Sequence, residues 1–354
     1  MTCPLKHSSR VRPSVEALQA YTPGEQLPLP DLIKLNTNEN PYPPSPAVAR
    51  ALREFPAETL HLYPDPQCSA LRARLAQIHH CDIDQIFVGN GSDEVLRLVT
   101  RAFTRPGGSA ATFTPSYSLY PVLTAIEEIR MDFVELPPET FAWCEPPSSL
   151  SATLFFLANP NAPTGVLYPA AAVEAFCRRF PGVVLIDEAY IDFSGTPGAA
   201  AFAATSENTL VSRTLSKSFS LAGLRLGYLI GPRPLIAAIQ KIKDSYNVDA
   251  LAQALALAAL NDLDYMHANA ARLCATRAHT QAELIRRGWT VIPSATNFLF
   301  ARPPATAPTA AEIFADLRRR HILVRYFPAP RTADYLRISM GTDLQMKALL
   351  EALP

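Results

Sequence analysis

The stretch Thr209-Leu-Val-Ser-Arg-Thr-Leu-Ser-Lys217-Ser-Phe-Ser-Leu-Ala-Gly-Leu-Arg225-Leu-Gly-Tyr-Leu-Ile-Gly231 decides how the chain is read. A short apolar run, Thr209 to Val211, reads as a buried strand that breaks at the Ser212, Arg213, Thr214 cluster, and Leu226 to Ile230 reads as a second strand. Between them Lys217 is ringed by the hydroxyl groups of Ser212, Thr214, Ser216, Ser218 and Ser220, and Arg225 follows. A lysine on loop backbone, shielded by apolar strands, is placed to lose its proton and attack a carbonyl carbon. The nearby hydroxyls and Arg225 are suited to hold a phosphate. An isolated Ser-Lys-Ser-Phe would read as a solvated surface loop; its neighbours argue otherwise.

Upstream of that lysine stands Val183-Val-Leu-Ile-Asp187-Glu-Ala-Tyr190. Four apolar β-formers delivering an acid describe the C-terminal edge of a buried parallel strand, where α/β ligand sites lie. Such an acid alone is common, often as a metal ligand or helix cap. Combined with an imine-forming lysine and a phosphate cradle, it matches the needs of pyridoxal 5′-phosphate (PLP): the acid keeps the pyridine nitrogen protonated, so the ring accepts electrons. Tyr190 lies within reach of the ring hydroxyl. Further upstream, Ile86-Phe-Val-Gly89-Asn-Gly91-Ser92-Asp93 is a strand, a glycine turn and a helix start, a second place where backbone N–H groups can meet a phosphate.

On these segments the chain resembles the fold-type I, PLP-dependent aminotransferases, and within them the histidinol-phosphate aminotransferases. The resemblance runs from Val11-Arg-Pro to Arg337-Ile-Ser-Met-Gly-Thr342. It implies a three-layer α/β large domain with a mostly parallel sheet, plus a smaller α+β domain. The expected division is 1–44 as N-terminal arm and part of the small domain, 45–250 as the PLP-binding domain, and 251–354 as the small C-terminal domain.

The resemblance also assigns roles. Lys217 holds PLP and shuttles a proton between the substrate carbon and the cofactor C4′ carbon, Asp187 meets the ring nitrogen, and Tyr190 meets the ring hydroxyl. Tyr117, in Ala110-Ala-Thr-Phe-Thr-Pro-Ser-Tyr117, matches the aromatic that stacks on the ring. Gly91, Ser92, Asp93, Thr214, Ser216 and Arg225 surround the cofactor, chiefly at its phosphate. Tyr63, in the proline-stiffened turn His61-Leu-Tyr63-Pro-Asp-Pro66, crosses to the PLP phosphate of a second subunit, which requires a homodimer with shared active sites. Leu154-Phe-Phe-Leu-Ala-Asn-Pro-Asn161-Ala162-Pro-Thr-Gly165 departs from the pattern. The family places Asn immediately before Pro-Thr-Gly, where this chain has Ala162. Either Asn161 shifts into the role or Tyr190 makes the ring-hydroxyl contact alone.

Substrate groups are expected at Tyr21, at Asn38 within Leu35-Asn-Thr-Asn-Glu-Asn-Pro41, and at Arg325 and Arg337. Arg337 lies in an apolar run with nothing acidic beside it, and a buried arginine without a partner calls for an anionic ligand. The implied reaction is ping-pong transamination of histidinol phosphate with 2-oxoglutarate, giving imidazole-acetol phosphate and glutamate in histidine biosynthesis. A threonine-phosphate decarboxylase and an aromatic aminotransferase share most of these residues. The segments Val324-Arg-Tyr-Phe327 and Leu336 to Thr342 favour the aminotransferase. A non-catalytic PLP-binding regulator would carry a basic helix-turn-helix extension, and none is visible.

Composition fits this reading. With 32 basic and 32 acidic residues, the chain shows no charge excess directed at nucleic acid or a membrane surface. Its six cysteines include no Cys-x-x-Cys, so neither a zinc site nor a disulfide framework is indicated. Residues 1–10 read as disordered, without the apolar core of a secretory signal. The longest apolar segment, Ala250 to Leu260, is too short to span a bilayer. A cytoplasmic enzyme without a metal is expected. Ser14 reads as a helix N-cap, Pro232 to Leu260 as a helix linking two domains, and Thr290 to Phe300 as a strand.

Overall fold

The computed structural model describes residues 10–354, so the expectation of disorder over 1–10 lies outside the described residues but for Arg10. In chain order the strands are β1 (Ile33–Lys34), β2 (Ile86–Gly89), β3 (Ser109–Thr114), β4 (Arg130–Glu135), β5 (Leu154–Ala158), β6 (Val183–Asp187), β7 (Thr209–Thr214), β8 (Gly227–Ile230), β9 (Thr290–Ile292), β10 (Phe298–Arg302), β11 (Ile322–Leu323), β12 (Arg325–Tyr326) and β13 (Leu336–Ser339). Seven form one sheet in the order β2-β8-β7-β6-β5-β3-β4, in which only β8 runs against its neighbours.

β5 shows why this sheet is an interior layer. All five of its residues are buried; Leu154, Phe156 and Ala158 face one side, Phe155 and Leu157 the other. A strand covered on both faces reads as a continuous apolar run rather than an alternating one. Helices Gly91–Phe103, Leu119–Ile126 and Arg233–Ile242 pack on the first side through Val95, Tyr120 and Ile236. Ser69–His79, Ala170–Arg179 and Ala250–Leu260 pack on the second through Leu75, Phe176 and Ala256. The expected three-layer α/β architecture is the one observed.

A four-stranded antiparallel sheet, β12-β13-β10-β9, follows later in the chain, with helix Leu263–Arg286 against β9 and β10 and helix Ala310–Arg319 against β11 and β12. β1, from near the other end of the chain, pairs in parallel with β11. No helix among the described residues is long and apolar enough to cross a membrane.

Four local expectations are corrected. β7 does not break at Ser212 but continues to Thr214, because Ser212, Arg213 and Thr214 pair with Leu229, Tyr228 and Gly227 of β8. Their polar side chains are tolerated there because they find partners in the sheet: Ser212 donates to Asp187 (3.3 Å) and Arg213 pairs with Glu188 (2.7 Å). Pro232 to Leu260 forms two helices, Arg233–Ile242 and Ala250–Leu260, the second begun by Asp249, whose carboxylate accepts the Ala252 N–H at 2.7 Å. Thr290 to Phe300 is an antiparallel hairpin entering β10, with residues 293–297 as its turn. Ser14 caps nothing: the helix Pro13–Glu16 begins after Arg12, and the Ser14 hydroxyl donates to Glu128 (2.8 Å).

Glu188 and Arg213 tie the ends of β6 and β7 together, with side chains 0% and 11% exposed, and Glu188 also accepts the Ala199 N–H at 2.6 Å. Removing one member of such a pair strands the other charge away from water. Glu188→Ala is therefore expected to lower unfolding stability by about 3–5 kcal/mol in urea denaturation. A loss under about 1 kcal/mol would mean that Arg213 reaches solvent or another acid.

Candidate active site

The C-terminal ends of β3, β5, β6 and β7 open onto a cavity of about 440 Å³, closed opposite by β13 and by residues between Tyr21 and Glu39. Parallel register brings these ends level, which is where α/β sheets place ligands. One corner is built for an anion. Gly91 opens the helix Gly91–Phe103 at φ +77°, and a Cβ there would lie 2.7 Å from the Arg225 guanidinium. A Cβ on Gly227 would lie 2.8 Å from the Ser92 nitrogen, so glycine is needed at both positions. Ser92 and Asp93 line the wall; Arg225 reaches Asp93 at 3.4 Å, and the Thr214 hydroxyl donates to that of Ser216 at 3.0 Å. Free helix N–H groups, two hydroxyls and a guanidinium converge where a phosphate would sit.

Asp187 forms the floor, buried at the tip of β6. It accepts from the Tyr120 hydroxyl (2.8 Å), the Ser212 hydroxyl (3.3 Å) and the Ala189 N–H (3.3 Å), and among the described residues no cation pairs with it. Burial pushes its carboxyl above the usual range, with those three donors opposing the shift. A protonated ring nitrogen is the partner that would hold it ionised. Tyr117 lines the cavity nearby, edge-on to Tyr120 and to Tyr21.

Lys217 lies on the loop after β7, its Nζ donating to the Thr37 carbonyl at 3.0 Å and 5.9 Å from the centre of the Tyr190 ring. Burial first, then Arg337 and Arg225, push the amine down to about 8, with Glu39 pulling the other way. The Tyr190 hydroxyl accepts from the Asn38 amide (2.9 Å), and Asn38 is fixed in turn by the Ser339 hydroxyl (2.8 Å) and by Asn297, whose amide donates to the Asn38 carbonyl (3.0 Å).

Opposite Lys217 stands a second anion corner. Arg337, on β13, donates to the Asn36 carbonyl (2.8 Å), lies over the rings of Phe298 and Phe327, and has a buried Nε with no partner. Arg325, paired with Arg337 in the sheet, donates to the carbonyls of Thr22 (2.8 Å) and Pro23 (3.1 Å), and Tyr21 completes the wall. A desolvated arginine with no carboxylate nearby suits an anionic ligand. A lysine near its titration point, a buried acid lacking a cation and a phosphate corner are together the groups that PLP requires; the residues fit it.

A model of the aminotransferase class I and II family matches residues 30–353. The chain belongs to that family. It is 45% identical to the histidinol-phosphate aminotransferase of Chromohalobacter salexigens, over 96% of this chain and 97% of the relative, and 44% identical to histidinol-phosphate aminotransferase 1 of Bordetella parapertussis, over 96% and 97%. A solved histidinol-phosphate aminotransferase from Sinorhizobium meliloti, in complex with PLP, superposes with a TM-score of 0.88 at 26% identity, covering 98% of this chain and 97% of that one.

Three expected residues do not line this class I/II aminotransferase's cavity: Gly91, which opens the helix at the anion corner, Asn161 and Tyr63. Asn161 turns inward: its amide donates to the Pro115 carbonyl (3.1 Å) and the Thr164 hydroxyl (2.8 Å), and its oxygen accepts from Ser116 (3.1 Å). Those bonds hold the loop and use both amide hydrogens; Ala162 occupies the wall instead. Of the two residues the sequence offered for the ring hydroxyl, Tyr190, steadied by Asn38, lines the cavity and Asn161 does not. Tyr63 is absent from the cavity of its own chain, 80% exposed and stacked on Tyr246 at 4.3 Å.

Sequence reading missed Tyr120, Asn297 and Ser339. A buried tyrosine needs a partner for its hydroxyl, so the three-residue spacing from Tyr117 was a usable hint. Its partner Asp187 lies 67 residues away and could not be read from the sequence.

The Lys217 amine should titrate near pH 8 in cofactor-free protein. Its modification by trinitrobenzenesulfonate, followed by peptide mapping, is expected to rise about tenfold from pH 7 to pH 9 and then level off. A rate still climbing steeply above pH 10 would mark an ordinary solvated lysine.

Proposed function

We propose that the chain is a PLP-dependent transaminase acting between L-histidinol phosphate and 2-oxoglutarate, yielding imidazole-acetol phosphate and L-glutamate in histidine biosynthesis. The observation that carries the proposal is one cavity holding Lys217, the acid Asp187 and the cation Arg337, neither of the last two in an ion pair among the described residues. The names of relatives about 45% identical over nearly the whole chain point the same way.

When bound, PLP supplies an electron sink that lets a C–H bond beside an amine ionise. Asp187 would hold the ring nitrogen protonated, and Gly91, Ser92, Thr214, Ser216 and Arg225 would hold the phosphate, with Asp93 bracing Arg225. Tyr117 would cover the ring, and Tyr190, its hydroxyl steadied by Asn38, would meet the ring hydroxyl. Lys217 anchors the cofactor and is then the base that takes the proton from the amine-bearing carbon; burial and the neighbouring Arg337 and Arg225 push its amine down and so favour the neutral form that role needs. Arg337, Arg325 and Tyr21 bind the anionic end of either substrate, the phosphate of one and a carboxylate of the other. These small phosphorylated and carboxylated metabolites do not cross membranes unaided, which supports a cytoplasmic enzyme. We take residues 45–250 as the cofactor domain, with 1–44 and 251–354 contributing the smaller one.

Purified holoenzyme assayed with 2-oxoglutarate should convert histidinol phosphate with a kcat/KM at least tenfold above that for phenylalanine, and should release no carbon dioxide from threonine phosphate. Borohydride should fix the pyridoxyl group on the peptide containing Lys217. Label on Lys241 or Lys243, or preference for another of these substrates, would overturn the assignment.

We infer further that two copies share their active sites through Tyr63. The support is its exposure, its absence from the lining of its own cavity and its place with exposed Leu60, Leu62 and Tyr246, apolar side chains of the kind that mark an interface. If Tyr63 reaches the phosphate of the neighbouring subunit, inactive Tyr63→Ala and inactive Lys217→Ala subunits should regain activity when mixed. In the mixed dimer one site carries both defects and the other none. Confirmed subunit exchange without recovered activity would rule sharing out.

A further inference from the structure

Among the described residues three acids line the cavity: Asp93, Asp187 and Glu39. Asp93 faces Arg225 and Asp187 forms the floor, but Glu39 has no part in the chemistry above. It stands at the mouth, its side chain 40% exposed. Its Oε2 accepts from Lys34 and from the Thr37 hydroxyl (2.7 Å), while its Oε1 receives no hydrogen bond from the described residues. The same Thr37 offers its carbonyl to Lys217, so the Glu39 carboxylate is held, through Oε2, by a residue that also positions the reacting amine. Lys217 and Glu39 each shift the other's titration, as groups facing one space do.

We propose that Glu39 is the specificity-determining residue that reads the imidazole ring of the substrate, taking a ring N–H onto its free carboxylate oxygen. This rests on the functional reading above and deepens it. Histidinol phosphate presents an amine, a phosphate and an imidazole. The amine belongs at Lys217 and the phosphate at Arg337 and Arg325, which leaves the ring without a partner. An imidazole offers an N–H donor in either protonation state and is cationic below about pH 6.5, so an acid is its natural acceptor.

Lys34 explains how the same mouth admits glutamate. Glu39 alone would repel a second carboxylate, but the Lys34–Glu39 pair carries no net charge. A dicarboxylate can pass it, while a ring N–H still finds the free oxygen. The pair thus adds affinity for one substrate without excluding the other, as an enzyme alternating between the two needs.

The two half-reactions can be measured separately by single-turnover absorbance of the holoenzyme, with histidinol phosphate, glutamate, and phenylalaninol phosphate as a probe carrying phenyl in place of imidazole. Glu39→Ala is expected to lower kcat/KM for histidinol phosphate about 10- to 100-fold more than for either other substrate. Glu39→Gln keeps the shape and an acceptor but not the charge, so its deficit should appear mainly below about pH 6.5, where the ring is cationic. If Glu39→Ala does not fold, the Glu39→Gln profile decides alone. Equal losses on all three substrates, or a Glu39→Gln deficit independent of pH, would overturn the inference and leave Glu39 a support for Thr37 and Lys217. Wild-type enzyme that ignores histidinol phosphate yet transaminates glutamate would overturn the functional reading itself, an outcome visible before any variant is made.

Discussion

Asp187 is a carboxylate taken out of water at the end of a buried strand, with three hydrogen-bond donors around it and no cation among the described residues. Desolvation disfavours its charge, and donors alone only partly restore it. The imbalance orders the rest of the site. Tyr120 is wedged flat against Phe156 at 4.7 Å so that its hydroxyl meets one carboxylate oxygen, and β7 extends far enough to bring Ser212 to the other. A positively charged ligand ring would complete the set. Arg337 presents the same situation with the sign reversed, a desolvated cation awaiting an anion on the far wall.

Much of this was legible in the residues themselves. The runs ending in Asp187 and flanking Lys217 announce buried strands because parallel sheets covered on both faces allow nothing else, and Arg337 was conspicuous for lacking an acid nearby. What stayed hidden depends on distant pairing. Ser212, Arg213 and Thr214 look like a strand break until β8 supplies backbone partners and the ends of β6 supply side-chain ones. Asn161 stood one position from the expected asparagine, and only the loop's own hydrogen bonds reveal that it faces inward. The hydroxyl partner of Tyr120, and the grip of Ser339 and Asn297 on Asn38, join residues that sequence spacing does not connect.

Asn38 shows how the cavity is held together. It adopts a left-handed conformation, φ +56°, which asparagine tolerates better than most residues. From there its side-chain amide donates to Tyr190, just past β6 in the middle of the large sheet, while its side-chain oxygen and its backbone N–H both meet the Ser339 hydroxyl of the small one. Both sheets are therefore registered against each other through a short segment that belongs to neither. The relative placement of Lys217 and Arg337, on which any discrimination by substrate length depends, is set at that joint.

The joint also fixes when the enzyme can come into being. The bonds between Asn38 and Ser339 span 301 residues of sequence, whereas the strands of the large sheet lie between residues 86 and 230. Closing so long a loop carries an entropic cost that local contacts do not, and non-local pairings form slowly. During synthesis the large sheet can assemble while more than a hundred residues are still to be added, with its phosphate corner and its lysine in place. The wall that carries Arg337 does not exist until β13, Leu336–Ser339, has been made. A nascent chain thus acquires the means to hold a cofactor well before the means to choose a substrate.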